Sequence, residues 1–284
     1  MTETKIKPDH TAVRTALWRG LHLKIDSAPY IFSDDLGAKI INELDWETRP
    51  DMDPERSLGP RASIVARARL IEDLLEKEIQ KGVSQYVILG AGIDTFAFRR
   101  NDLIKKIKIF EVDQEGPQTW KKNRLNELNF SIPDELIFVP VNFEKENWLS
   151  KIQNFGFDIL RPTLVVSTGV TMYLSNEANL ETFRQINKLS KGSIFITTFM
   201  LPPEMLESKE KELMLFTMDR AKQSGTPFIS LYSPEDILKL SKQAGIDQCE
   251  IVPAEYLSNR YFKNRSDQLT LGKAENFLIL RTSL

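Results

Sequence analysis

Histidine and cysteine are nearly missing from this chain, which has His10, His22 and Cys249 and no others. A lone cysteine forms neither an internal disulfide nor a thiolate zinc site, and two unclustered histidines argue against a histidine-based one. No metal is therefore expected. Long apolar runs are absent too: none approaches the roughly 18 residues that a membrane span needs, and the start MTETKIKPDH carries no signal-peptide core. With cysteine so scarce, a reducing cytoplasm is the expected compartment. Neither sign of charge is in excess, because 38 basic and 40 acidic side chains leave −2. That gives no electrostatic footprint for nucleic acid, so neither nucleic acid nor membrane is an expected partner. Repeats, low-complexity tracts and long linkers are likewise missing. The 284 residues read as one domain with ample material for a core. Nothing in the pattern speaks to oligomeric state.

What the chain does have is alternation. Apolar runs at 85–89, 107–112, 136–141, 163–167 and 193–199 read as strands, with helices near 95–103, 115–128, 144–153 and 177–190 between them. Strands and helices that alternate predict a parallel sheet with right-handed crossovers. Ahead of it lie three expected helices, at 11–24, 30–44 and 62–81, with a proline-rich acidic loop at 45–60. The third has Ile64, Ala68, Ile71, Leu75 and Ile79 at helical spacing and stops at Gly82. Behind it, Ser233-Pro234-Glu235-Asp236 is a helix start. Two closing strands follow at 247–253 and 276–282, joined by a loop around 259–273. The expectation is an α/β, Rossmann-like sheet of seven strands, mostly parallel, with an antiparallel C-terminal hairpin. Its parts are an N-terminal helical extension (1–82), a cofactor-binding core (83–199), an insertion (200–230) and a C-terminal helix with closing strands (231–284).

The insertion breaks the alternation. Glu204 to Gln223 has the pattern of an amphipathic helix, and Met200, Met205, Met214 and Met218 gather there. Methionine suits adaptable apolar surfaces, which fits a cap over a substrate. A helix packed on its own domain explains the same pattern.

The chemistry centres on Leu89-Gly90-Ala91-Gly92-Ile93-Asp94, a glycine turn straight after a buried strand. Two glycines let the chain turn sharply and let a ligand approach bare backbone. A dinucleotide fingerprint would place a third glycine at 95, where this chain has Thr95 behind Asp94. A carboxylate beside the turn repels a pyrophosphate but tolerates a cationic ligand without phosphate, such as S-adenosyl-L-methionine. Glu111 and Asp113 lie 21 and 23 residues past Gly90, the distance of an acid that accepts ribose hydroxyls. Alternation sets them on one side of the strand, so they compete for that role. Asn142 and Phe143, after the third strand, offer an amide edge and a ring face for adenine. Arg67 and Arg69 lie on the helix before the turn, where a guanidinium can grip an α-carboxylate.

These segments resemble the leucine carboxyl methyltransferase-like family of S-adenosylmethionine-dependent methyltransferases, including its bacterial O-methyltransferase branch. The resemblance rests on Thr11-Ala12 with Pro29-Tyr30-Ile31, Val65-Ala66-Arg67-Ala68-Arg69 with Glu72-Asp73, and Leu89 to Thr95. It continues through Phe110-Glu111-Val112-Asp113, Gly169-Val170-Thr171-Met172-Tyr173-Leu174, and Gly225-Thr226-Pro227-Phe228 leading into Pro234-Glu235. It implies the class I methyltransferase fold, with Arg67 on the methionine carboxylate, Gly90 at the methionyl part and Asp113 on the ribose; Gly92, Asp94, Glu111 and Thr168 are further expected cofactor-binding residues. Asn142 and Phe143 fall at adenine, and Arg14 loosely matches a basic cofactor contact. Two positions depart from the family: Thr168 and Asn142 stand where it usually has acids.

The function expected is O-methylation of a carboxylate or hydroxyl on a small molecule, leaving S-adenosyl-L-homocysteine. Rival readings are a protein carboxyl methyltransferase, a nicotinamide-dependent oxidoreductase, which Thr95 disfavours, and a degenerate binding protein, which Thr168 keeps open. No general base stands out. Tyr173 is a weak catalytic candidate, and His10 and His22 read better as surface or capping residues.

Overall fold

A computed structural model describes Pro8 and residues 10–283. Three helices come first: α1 (His10–Ile25), α2 (Leu36–Ile41) and α3 (Leu58–Ile79). The alternating part follows as β1 (Gln85–Leu89), α4 (Phe96–Arg99), α5 (Asn101–Ile104), β2 (Lys108–Asp113), α6 (Glu115–Glu127), β3 (Leu136–Pro140), α7 (Trp148–Gln153), β4 (Thr163–Ser167), α8 (Asn176–Ile186) and β5 (Ile194–Met200). The chain closes with α9 (Ser208–Gln223), α10 (Pro234–Gln243), β6 (Gln248–Val252), α11 (Ala254–Leu257) and β7 (Glu275–Arg281).

The seven strands form one sheet in the order β3-β2-β1-β4-β5-β7-β6. Strands β1 to β5 are parallel, and β7 runs antiparallel between β5 and β6. From β1 the chain first builds outward through β2 and β3, then returns to place β4 on the other flank. That reversal opens a crevice at the carboxyl ends of β1 and β4, where open α/β sheets bind ligands.

Strand periodicity builds the two cores. Tyr86, Ile88, Ile109, Leu164 and Val166 join α3 residues such as Val65, Leu70 and Leu75 on one face. The intervening Val87, Leu89, Phe110, Val112 and Val165 meet Trp148 of α7, Phe183 of α8 and Ile237 of α10 on the other. Helices therefore cover both faces, and this explains why the central strands read as unbroken apolar runs. The capping box expected at Ser233 is formed with Asp236.

Several boundaries differ from the sequence expectation for local polar reasons. The helix expected over 30–44 shrinks to α2. Asp34 takes the N–H bonds of Leu36 and Gly37, and Ile31 donates its N–H to His22 Nε2, so residues 30–35 leave helical geometry. The helix expected over 95–103 splits at Arg100, whose ψ of 60° is not helical. The closing loop holds α11 and a further helical turn, Ser258–Phe262. Helix α9 packs along one stripe, with Met214 buried and Met218 and Ala221 half-buried, and leaves Leu213, Leu215 and Phe216 exposed on its other sides. Among the described residues no helix is long and apolar enough to cross a membrane.

The N-terminal helices are fastened to the glycine turn by buried charge. Arg19 donates to Asp34 (2.7 Å) and to the Ile93 carbonyl (2.8 Å), and Thr95 Oγ1 donates to Asp34 (2.7 Å). Burial works against ionisation of Asp34, but Arg19 and Arg99 outweigh it and hold its carboxyl below the usual carboxylate range. The carboxylate is therefore stabilising above the unfolded-state pKa, and that contribution disappears as pH falls through the lower folded value. Asp34→Asn should cost about 3 kcal/mol at pH 7, because Arg19 is left without its buried counter-charge. The gap from wild type should close below about pH 4. Urea titrations of both proteins across pH check this; a gap that stays constant with pH would refute it.

Candidate active site

The glycine turn sits at the crevice. Gly90 has φ +73°, and an added Cβ would lie 2.7 Å from Val170 Cγ2 on the turn after β4. Only glycine combines that backbone with that approach, so the β1 and β4 turns meet in contact at the sheet's switch point. Gly169 closes the same crevice with φ +68°, its N–H donating to Thr198 Oγ1 (2.8 Å). A Cβ there would lie 3.1 Å from Arg67 Nη1, so the missing side chain admits the guanidinium. Thr168 is half-buried beside it, just past β4.

The two acids of β2 part company. Asp113 ends the strand half-buried and accepts from Gly92 N–H (2.6 Å) and Gln114 N–H (2.7 Å), which ties it to the turn. Glu111 is enclosed, 1 % exposed, and its Oε2 accepts from Lys121 Nζ of α6 (2.6 Å). The same ammonium donates to the Asp94 carbonyl (2.7 Å), so Lys121 bridges β2 and the glycine turn. Burial pushes the Glu111 carboxyl up to about 7 against the pull of Lys121. The competition between the acids is thus decided by position: Asp113 stands at the crevice and Glu111 lies beneath it. Asp94 turns its carboxylate back to accept Phe96 N–H (2.8 Å).

The other expected residues fall in two groups. Arg67 comes to the crevice, 14 % exposed, and its Nη1 donates to Glu275 (3.0 Å). Arg69 does not; it pairs with Asp73 on the surface. Asn142 and Phe143 follow β3 on the same edge. Asn142 Oδ1 accepts Glu144 N–H (3.1 Å), and Phe143 packs on the second core. Tyr173 is half-buried and meets Phe228 edge to face, ring centroids 5.3 Å apart. Arg14 lies over the Trp18 ring, 5.3 Å from its centroid.

His10 is exposed at the start of α1. His22 is fully buried: its Nε2 accepts Ile31 N–H (3.1 Å), so its Nδ1 carries the proton and donates to Asp26 (2.7 Å), which also holds Arg61. A ring committed at both nitrogens to the fold is a strut and has no free base for the crevice.

Sequence reasoning missed Asp34, Lys121 and Glu275. Asp34 and Lys121 sit in polar stretches that carry no motif. Glu275 escaped because β7 is antiparallel, which brings its first residue opposite Met200, at the carboxyl ends of the parallel strands.

A parallel sheet with this switch point, a double-glycine turn and an acid closing the second strand define a class I methyltransferase architecture. The chain belongs to the leucine carboxyl methyltransferase family, which matches residues 12–187. It is 29 % identical over 293 residues to YktD of Bacillus subtilis (strain 168), covering 94 % of this chain and 96 % of that one. Over 174 residues it is 32 % identical to a protein of Streptomyces avermitilis, covering 59 % and 60 % of the two chains. Both relatives bear the name "Putative S-adenosyl-L-methionine-dependent methyltransferase". The fold is also that of a solved DUF574 family protein from Streptomyces avermitilis, with TM-score 0.61 at 13 % identity over 97 % of this chain and 98 % of the other. The protein is an S-adenosylmethionine-dependent methyltransferase.

Glu111 has a folded pKa raised above its unfolded value, so stability is lost as pH rises from the ordinary carboxylate range to about 7 and the full cost of the ionised form is present above that. Lys121 offsets that cost only when Glu111 is charged. Lys121→Met should therefore lose more stability at pH 8.5 than at pH 5.5, by at least 1 kcal/mol. Equal losses at both values, read by chemical denaturation, would show that Lys121 acts through packing alone.

Proposed function

We propose that the protein is an O-methyltransferase that acts on a carboxylate or hydroxyl of a small molecule at the carboxyl edge of its sheet. The observation that carries the reading is the Tyr173–Phe228 pair. It joins the 200–230 segment to the turn after β4, a few residues from Gly169 and Val170, so an aromatic wall borders the crevice. Such a wall suits a compact, partly apolar acceptor.

The residues present fit the cofactor by their chemistry. The Asp113 carboxylate, which accepts from the N–H groups of Gly92 and Gln114, suits a ribose diol by its acceptor chemistry. Arg67 is a fork for an α-carboxylate. Gly90 and Gly92 give the turn its left-handed backbone beside them, with Val170 and Ala12 packed where their side chains would be, and Asn142 with Phe143 borders the adenine position. Asp94 and Thr168 flank the methionyl end, and Glu111 supports the turn from below through Lys121.

S-adenosylmethionine, when bound, supplies a methyl group already activated on a sulfonium. The chain's own work is then to hold donor and acceptor in line and keep water out. An acceptor carboxylate needs no general base at neutral pH, whereas a phenol would be helped by one. Tyr173 is a candidate beside the crevice. The 200–230 segment acts as a cap, and Leu213, Leu215 and Phe216 of α9 give it exposed apolar surface. Those same exposed side chains favour a second reading, carboxyl methylation of a protein terminus, whose bulk would cover them.

Titration calorimetry with S-adenosylmethionine and S-adenosylhomocysteine, and NAD as control, tests the cofactor assignment. Wild type should bind both sulfur ligands and ignore NAD. Arg67→Ala and Asp113→Ala should each weaken binding at least tenfold. Full-strength binding by either variant would remove that residue from the site. A panel of small carboxylates and phenols set against peptides with free C-termini then separates the two acceptor readings.

A further inference from the structure

Glu275 is an acid placed at the carboxyl edge by strand direction alone. It pairs in register with Met200, the last residue of β5. Its Oε1 accepts from Arg67 Nη1 (3.0 Å) and its Oε2 from Ser63 Oγ (2.6 Å). The pair is mostly enclosed, with side chains 14 % and 12 % exposed, and Gly169 leaves the guanidinium room.

We propose that Glu275 receives the α-ammonium of the cofactor's amino-acid end while Arg67 receives its α-carboxylate. This rests on the reading of Arg67 given above. An α-amino acid carries its two charges on one carbon, so a protein that meets both must supply opposite charges that are themselves neighbours. Arg67 and Glu275 satisfy that demand. Each retains capacity: a carboxylate offers about four acceptor positions, of which Glu275 uses two, and a guanidinium has five N–H donors. Among the described residues, the side-chain hydrogen bond of Arg67 is the one to Glu275. Before a ligand arrives, the two charges neutralise each other, which makes their burial tolerable. A zwitterion then adds one charge of each sign and keeps the site balanced in a medium where charge pairs count for more than in water. Ser63 anchors the far oxygen of Glu275 and sets the angle of the carboxylate.

Calorimetry with three ligands on the full chain separates the charges: S-adenosylhomocysteine, its decarboxylated analogue and its deaminated analogue. Glu275→Gln keeps a carbonyl oxygen for Arg67 and Ser63 but removes the charge. It should weaken the two ammonium-bearing ligands about tenfold and leave the deaminated one unchanged or tighter. Arg67→Ala should weaken only the two carboxylate-bearing ligands. Ser63→Ala, a milder change, should repeat the Glu275→Gln ranking at smaller size, and thermal unfolding confirms that each variant is folded. Equal weakening of all three ligands by Glu275→Gln, or none, overturns the proposal. If Arg67→Ala behaves as expected while Glu275→Gln spares the ammonium-bearing ligands, only the assignment of Glu275 fails. If Arg67→Ala spares every ligand, the reading of Arg67 fails and takes this proposal with it.

Discussion

Two backbone turns touch where the sheet reverses its direction of growth, and the rest of the site depends on that contact. Gly90 meets Val170 with no space for a Cβ, so the ends of β1 and β4 form one surface. Parallel register carries the ends of β2 and β3 alongside, and antiparallel β7 contributes its first residue from the other side. Groups as close in sequence as Gly92 and Asp113, 21 residues apart, and as distant as Arg67 and Glu275, 208 apart, therefore share one edge.

Three buried charge pairs set this edge against its surroundings. Asp34 ties α1 and α2 to Thr95 and, through Arg19, to Ile93. Lys121 ties α6 and β2 to the Asp94 carbonyl. Arg67 and Glu275 tie α3 to β7. An unpaired charge in any of these places would be expensive to bury, so each pair holds its two elements in one relative position. The glycine turn is gripped from both sides, which suits a site whose main task is alignment.

Much of the fold was legible because its signals are local. Period and length separated helices from strands, Ser233 to Asp236 announced α10, and the glycine spacing with an acid one strand later marked the crevice. The errors arose where a polar side chain captured backbone groups that periodicity assigned to a helix. Asp34 and His22 did this around residues 30–37, and no apolar pattern records such a capture. The site was legible in part for the same reason. Gly90, Asp113 and Arg67 belong to runs with a recognisable pattern, while Lys121 and Glu275 stand in ordinary surface-like sequence.

The sequence by itself determined the class: an α/β sheet with a glycine turn after its first strand and an acid closing the second. Those properties depend on spacing along the chain, which a sequence displays directly. Tertiary structure alone decided which of two acids faces the crevice, since Glu111 and Asp113 share a strand side and differ only in what packs beside them. It decided that His22 is a strut, because the segment that follows α1 folds back so that Asp26 and Ile31 meet both ring nitrogens. It also decided that Glu275 stands beside Arg67, because strand direction, which spacing does not encode, brings the start of the last strand to the end of the others.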